Sequence, residues 1–245
     1  MRAAVAVLAA ALVLPACGDE GDQTVTVLAA ASLTDAFTTL GRTFEDDHPG
    51  TTVELSFGPS SGLATSIVEG APADVFASAS PTAMADVVAA GAADGDPTEF
   101  ARNVLEIVVP AGNPGGVRGL ADLARDDLLV GLCAPDVPCG EVAARVLDDA
   151  GVTPATDTEE ADVRALLTKV SEGELDLGLV YETDVRAAAD DVEGIPLPDG
   201  VPAGTRYPIA VMDGAGDADL ARDFVALVEG PEGQRVLGDL GFRAP

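Results

Sequence analysis

Hydroxyl side chains that follow short turns of small residues are the first chemistry this sequence offers. Ser32 comes after three alanines within 24–44 (TVTVLAAASLTDAFTTLGRTF), and Ser60 and Ser61 lie inside GPSSG at 58–62. Gly58 to Gly62 matches G-x-S-x-G, the form of a hydrolase nucleophile elbow. A serine nucleophile of that kind needs a histidine base placed after it in the chain. The single histidine, His48, precedes Ser60 and sits in a Pro-Gly turn, so an acyl-transfer role for Ser60 lacks its base. The sequence carries no Walker lysine motif, no G-x-G-x-x-G and no paired histidines, and the expectation is a protein that is not an enzyme and needs no cofactor. Ser32, Ser60 and Ser61 then read as hydroxyl donors or as helix caps. Tyr181, at the end of an apolar run (LDLGLVY), adds a phenolic O–H.

The elements around these residues explain why they would converge. Alternation at Val25, Val27 and Ala29 predicts a strand, and Leu33, Phe37, Leu40 and Phe44 recur at helical spacing, with Ser32 where an N-cap belongs. The same order of strand, small-residue turn and helix returns at TVELSF with GPSSG. It returns again at LLVGL with Pro138-Cys139-Gly140, and before Asp162-Val163, where Asp162 is the expected N-cap. Helix starts leave backbone N–H groups unpaired and carry partial positive charge, so each is a place where an anion can rest. A short strand is expected within 70–77 (GAPADVFA), and further strands at 103–110, 175–181, 192–197 and 206–212, with helices at 81–90, 183–189, 217–229 and 231–240. Apolar strands alternating with helices predict parallel sheets covered on both faces, with ligands at the strand-to-helix edge.

Composition narrows the partners. The 245 residues carry a net charge of −29, with twelve arginines and one lysine, Lys169. Such acidity repels a phosphate backbone and excludes nucleic acid as a partner. Arg2 and the apolar run 3–14 form a targeting segment, too short to span a membrane, ahead of Leu14-Pro15-Ala16-Cys17. This stretch resembles a bacterial lipoprotein signal, with residues 1–16 removed, Cys17 lipidated and 17–23 a tether. The alternative is an ordinary secretory signal cut nearby. Either reading places the mature chain outside the cytoplasm. There, Cys133 and Cys139 in LCAPDVPCG are expected to pair as a disulfide, two free thiols being the alternative. A metal centre needs more ligands than these two thiols and a distant His48, so none is expected.

Seven segments then carry a specific resemblance: AAASLTDAF, SFGPSSGLA, GAPADVFASAS, DVPCGEVA, EEADVRALL, LGLVYETDV and GPEGQRVLGDLGF. In order, and across nearly all of 24–242, they resemble the molybdate-binding component of an ABC transporter. The resemblance implies a type II periplasmic-binding-protein fold, an α/β protein whose two lobes, each a mostly parallel sheet flanked by helices, close by a hinge. Lobe I would comprise 24–102 and 207–245, and lobe II 103–206. It implies a monomer that binds molybdate or tungstate, delivers it to a membrane permease and touches the membrane through its lipid anchor. By the family's motifs, the anion would be held by the hydroxyls of Ser32, of Ser60 with Ser61 as its rival, and of Tyr181. Main-chain N–H groups at Cys139 and Val163 would complete the set, with no side chain bonded to the metal itself. Cys139 departs from the alanine usual at that position. A same-fold protein for sulfate, phosphate or another oxyanion is the first alternative, and a serine hydrolase using Ser60 the remote one.

Overall fold

The computed structural model describes residues 23–245. The signal segment, Cys17 and the tether up to residue 22 lie outside the described residues. Gln23, expected in the tether, instead opens the first strand.

The chain begins β1 (Gln23–Ala30), a 3-10 turn, α1 (Thr34–Asp47), β2 (Thr51–Gly58), α2 (Ser60–Val68), β3 (Val75–Ala77) and α3 (Pro81–Ala89). Then comes β4 (Thr98–Pro110), a 13-residue strand, followed by β5 (Val130–Cys133), α4 (Pro138–Ala150), β6 (Thr156–Glu160) and α5 (Val163–Ser171). β7 (Leu177–Tyr181), α6 (Glu182–Ala187), β8 (Val192–Ile195), β9 (Gly204–Val211), α7 (Ala218–Glu229) and α8 (Pro231–Asp239) complete it. The strands run in the order β2-β1-β3-β9-β4-β7-β5-β6, with β8 also paired to β4.

Parallel pairing is confined to β2-β1-β3 on one side and β7-β5-β6 on the other. Every pairing made by β4 or β9 is antiparallel, because these strands carry the chain between the two halves. From Thr98 to Val104, β4 pairs with β9; from Leu105 onward it pairs with β7 and β8. The return passes alongside, where the Leu105 N–H donates to the Ala203 carbonyl at 3.0 Å.

Each half buries its own core. One is built from 105–203 and includes Ile107, Leu123, Val146, Leu166 and Leu179. The other joins Val27, Phe37 and Phe44 to Phe100 on the outgoing β4 and to Tyr207 and Phe224 from the chain's later return. Helix α1 shows why the spacing folds as it does: Leu33, Phe37, Leu40 and Phe44 are all buried on one face. Phe37 meets Phe100 and Phe224 with ring centroids 5.9 and 6.0 Å apart. Each such buried side chain contributes about 1.5–3 kcal/mol of transfer free energy. A third, smaller cluster packs Phe76, Met84 and Val87 beneath α2 and α3.

Two further features depart from the sequence expectation, besides Gln23 and the antiparallel pairing of β4 and β9. β6, a polar TDTEE strand at the sheet edge, has no hydrophobic alternation to announce it. Ser32 does not cap α1: it lies in the 3-10 turn Ala31–Leu33, and no side chain caps either the turn or the helix. Its hydroxyl is engaged elsewhere. Among the described residues, no helix is long and apolar enough to cross a membrane.

Candidate functional site

The C-terminal ends of β1, β2, β5, β6 and β7, together with the segment after β3, converge on one small cavity. Its wall includes Ser32, Gly58, Ser60, Ala79, Pro138, Asp162, Val163 and Tyr181. Both halves of the sheet contribute, as expected for a ligand site at the carboxyl edge of parallel strands.

Each polar group in the wall has a definable hydrogen-bonding sense. The Ser60 hydroxyl, fully buried at the first turn of α2, accepts from the Ala79 N–H at 2.9 Å, which leaves its own proton free to donate. The Ser32 hydroxyl lies 2.9 Å from the Tyr207 phenol. Asp162 caps α5 by accepting from the Arg164 and Ala165 N–H groups at 2.8 and 3.0 Å. That cap leaves the Val163 N–H, at the first helical position, outside it. The one carboxylate in the wall is thus turned to its own helix. Tyr181 is only 1 % exposed, and its hydroxyl has no hydrogen-bond partner among the described residues. Burial pushes both the Tyr181 and the Tyr207 phenols well above the usual tyrosine range, so both stay protonated donors. A buried donor without a partner costs about 1–3 kcal/mol, a cost that a ligand acceptor would remove.

Four of the residues expected from the sequence, Ser32, Ser60, Val163 and Tyr181, line this cavity together. Ser61 does not; it is part-exposed on α2, where Ser60 is fully buried. Cys139 also lies outside the wall, which is formed there by Pro138, the first residue of α4. The Cys139 N–H nevertheless belongs to the first turn of that helix, where donors lack intrahelical partners. Cys133 and Cys139 face each other with Cα atoms 5.8 Å apart and sulfurs at bonding distance. Their loop presses so closely on α4 that a Cβ at Gly140 would meet the Ala134 carbonyl oxygen at 1.8 Å.

The hydrolase reading of Ser60 fails on geometry. Its oxygen is committed to a backbone N–H, while His48 stacks on Phe44 with Nδ1 3.0 Å from the Phe44 carbonyl, at the far end of α1.

Behind the wall stands a polar layer that sequence reasoning missed. Asp184, fully buried on α6, accepts from the Tyr181 N–H at 3.2 Å and lies 3.0 Å from Arg164 Nε. The Arg164 N–H is not aimed at that oxygen, so the contact is Coulombic without a hydrogen bond. Burial accordingly wins over Arg164 and pushes the Asp184 carboxyl up to about 7. Arg164 also reaches across the cleft to Asp35 on α1, and Ser80 reaches across to Glu141 at 3.0 Å. Asn103 joins Thr183 to Tyr207 deeper still. Most of these contacts join residues far apart in sequence, 175 positions for Ser32 and Tyr207, and no local spacing signals them. The only hint is rarity, since Tyr181 and Tyr207 are the two tyrosines of the chain.

A family model described as bacterial extracellular solute-binding protein matches residues 25–243. The chain belongs to that family. It is a binding protein, not an enzyme, with the α/β fold of periplasmic binding proteins. It is similar to a Mycobacterium tuberculosis protein named molybdate-binding protein ModA, 42% identical over 231 residues that span 94% of this chain and 88% of that one. The periplasmic molybdate-binding protein of Azotobacter vinelandii matches with a TM-score of 0.78 at 22% identity, over 90% of this chain and 99% of that chain. The sulfate-binding protein SubI of M. tuberculosis matches with a TM-score of 0.80 at 21% identity, over 91% and 87%. At those identities the two solved structures bear on the fold alone, which this binding protein shares with carriers of different oxyanions.

Proposed function

We propose that this binding protein captures molybdate or tungstate outside the cytoplasm and delivers it to the membrane permease of an ABC transporter. The observation that carries the reading is the buried, unpartnered Tyr181 hydroxyl in a cavity whose other polar groups are disposed to donate. Ser32, Ser60 and Tyr181 offer O–H groups, while Val163 and Cys139 offer N–H groups from helix starts. Charge-assisted bonds of this kind contribute about 1.5–3 kcal/mol each. A chain of net charge −29 cannot draw in a dianion by its overall field, so these local dipoles must do the work. Hydrogen phosphate is disfavoured because its O–H would find no acceptor. Sulfate lacks that proton and must be rejected on size, which also predicts weak discrimination between molybdate and tungstate. The 42% identity to a molybdate-binding protein favours molybdate over sulfate. Calorimetric titration with molybdate, tungstate, sulfate and phosphate tests this: the first two are expected to bind alike and tightly. Binding of sulfate alone would favour the second reading, a sulfate carrier.

The lobes in this reading are 24–102 with 207–245, and 103–206, hinged where β4 and the Ala203–Gly204 return run side by side, in a monomer. Cys17 anchors the chain through lipid, so Cys17→Ser should release it from membranes; a mature N-terminus at Gly18 or beyond, unmodified, would refute the anchor. Cys133 and Cys139 form a disulfide that stiffens the loop before α4. Two titratable thiols in the unreduced, denatured protein would refute that.

A further inference from the structure

The Ser32 hydroxyl can either donate to an anion or accept from one, and only the first helps bind a dianion. What fixes that choice is a row of groups running from the crossing strand β4 to the cavity. Asn103 is buried, and its Oδ1 accepts from the Val104 N–H at 2.9 Å. This orients the amide, because the oxygen is the end that takes an N–H. Its Nδ2 must therefore point the other way, where it donates to Thr183 Oγ1 at 2.8 Å and to the Tyr207 hydroxyl at 3.4 Å. An amide nitrogen only donates, so the Tyr207 oxygen is an acceptor on that side. Its proton is then left for the neighbour on the other side, Ser32 Oγ at 2.9 Å. With Tyr207 donating into it, Ser32 turns its own proton toward the cavity.

We infer that Tyr207 is a positioning residue for the anion site: held as an acceptor by Asn103, it donates to Ser32 and so makes Ser32 a donor. This rests on the oxyanion reading and gives it a directional basis. Ser60 is set the same way by a simpler device, the Ala79 N–H. Burial keeps the Tyr207 phenol protonated, which the row requires. Hydrogen bonds aligned head to tail also polarise one another, strengthening the last donor.

Reversing the row is the sharpest test. Tyr207→Phe keeps the ring packed against Phe100, Tyr181 and Phe242 and removes only the hydroxyl. Ser32 is then undirected but still free to donate, and molybdate affinity should fall about two- to tenfold. Asn103→Asp replaces the donor with an acceptor of the same shape. Tyr207 then donates toward position 103, accepts from Ser32, and leaves Ser32 lone pairs facing the anion. Affinity should fall about ten- to a hundredfold, more at pH 9 than at pH 6 as the new carboxyl ionises. The double variant should bind molybdate more tightly than Asn103→Asp alone, since the phenol that transmits the reversal is gone. A merely structural role, or simple charge repulsion, gives no such rescue. Thermal melts of each variant without ligand check that folding is retained. The inference is overturned if Asn103→Asp binds like wild type throughout that pH range, or if the double variant binds no better than Asn103→Asp. Failure of the wild type to bind any of molybdate, tungstate, sulfate or phosphate would instead overturn the oxyanion reading.

Discussion

At the scale of single residues, three hydroxyls in one cavity differ in what else they do, and substitutions should separate them. Tyr181 has no other hydrogen-bond partner, so Tyr181→Phe should cost molybdate affinity about ten- to a hundredfold while leaving the ligand-free protein as stable or slightly more so. Ser60 also accepts from a buried N–H, so Ser60→Ala should lose comparable affinity and, in addition, about 1–3 kcal/mol of stability. Titration paired with denaturant melts of both variants checks this; equal stability losses would show that Tyr181 has a partner after all. These roles were unevenly legible. The hydroxyl types and the strand-turn-helix settings of Ser32, Ser60 and Tyr181 stand in the sequence. Which of Ser60 and Ser61 faces the cavity does not, since adjacent residues at a helix start differ only by rotation about its axis. The layer of Asp184, Asn103 and Tyr207 is invisible there because its contacts arise from tertiary folding alone.

Among the elements, α1 and α5 were readable because Leu33, Phe37, Leu40 and Phe44, and Val163, Leu166, Leu167 and Val170, repeat at helical spacing over a full buried face. β6 was not, because an edge strand carrying TDTEE needs no buried side. The antiparallel role of β4 was equally hidden, since a strand read alone does not reveal its partner's direction. Helix α6 holds the element-scale prediction. Its Asp184 is buried against the start of the helix, and its carboxyl is lifted from an ordinary 3.8 to about 7. The folded chain therefore keeps a proton that the unfolded chain gives up near pH 4. This group favours folding fully below that pH, and its contribution is lost as pH rises through about 7, a change on the order of 4 kcal/mol. Asp184→Asn should remove that dependence while its amide oxygen still accepts from the Tyr181 N–H. The variant should gain stability relative to wild type between pH 4.5 and pH 8, read from denaturant melts at each pH. A difference independent of pH would mean that Arg164 compensates the buried carboxylate completely.

For the whole molecule, protein contacts of their own join the two halves across the cavity. Arg164 follows Val163 at the start of α5, and Asp35 sits in the first turn of α1, so their ion pair ties together two helix starts that face the cavity from opposite halves. Opening about the crossing strands would part them, whereas the Glu182–Arg243 pair, close to those strands, has little distance to travel. If the two halves hinge as proposed, the Asp35–Arg164 contact is available only to the closed form, and it should act on how long an anion stays more than on how fast it enters. Both partners are partly exposed, 28% and 47% by side chain, so the pair contributes about 0.2–1 kcal/mol and is screened by salt. Asp35→Asn should raise the molybdate dissociation rate about two- to fivefold and leave the association rate nearly unchanged. Asp35→Glu, which keeps the charge, should restore most of the loss. In the wild type the dissociation rate should rise modestly with ionic strength; in Asp35→Asn the rise should be smaller, because the ion pair that salt screens is gone. Stopped-flow displacement of molybdate at low and high salt separates these outcomes. An Asp35→Asn protein that releases the anion at the wild-type rate, with the same salt dependence, would mean that the anion's own bonds hold the two halves together.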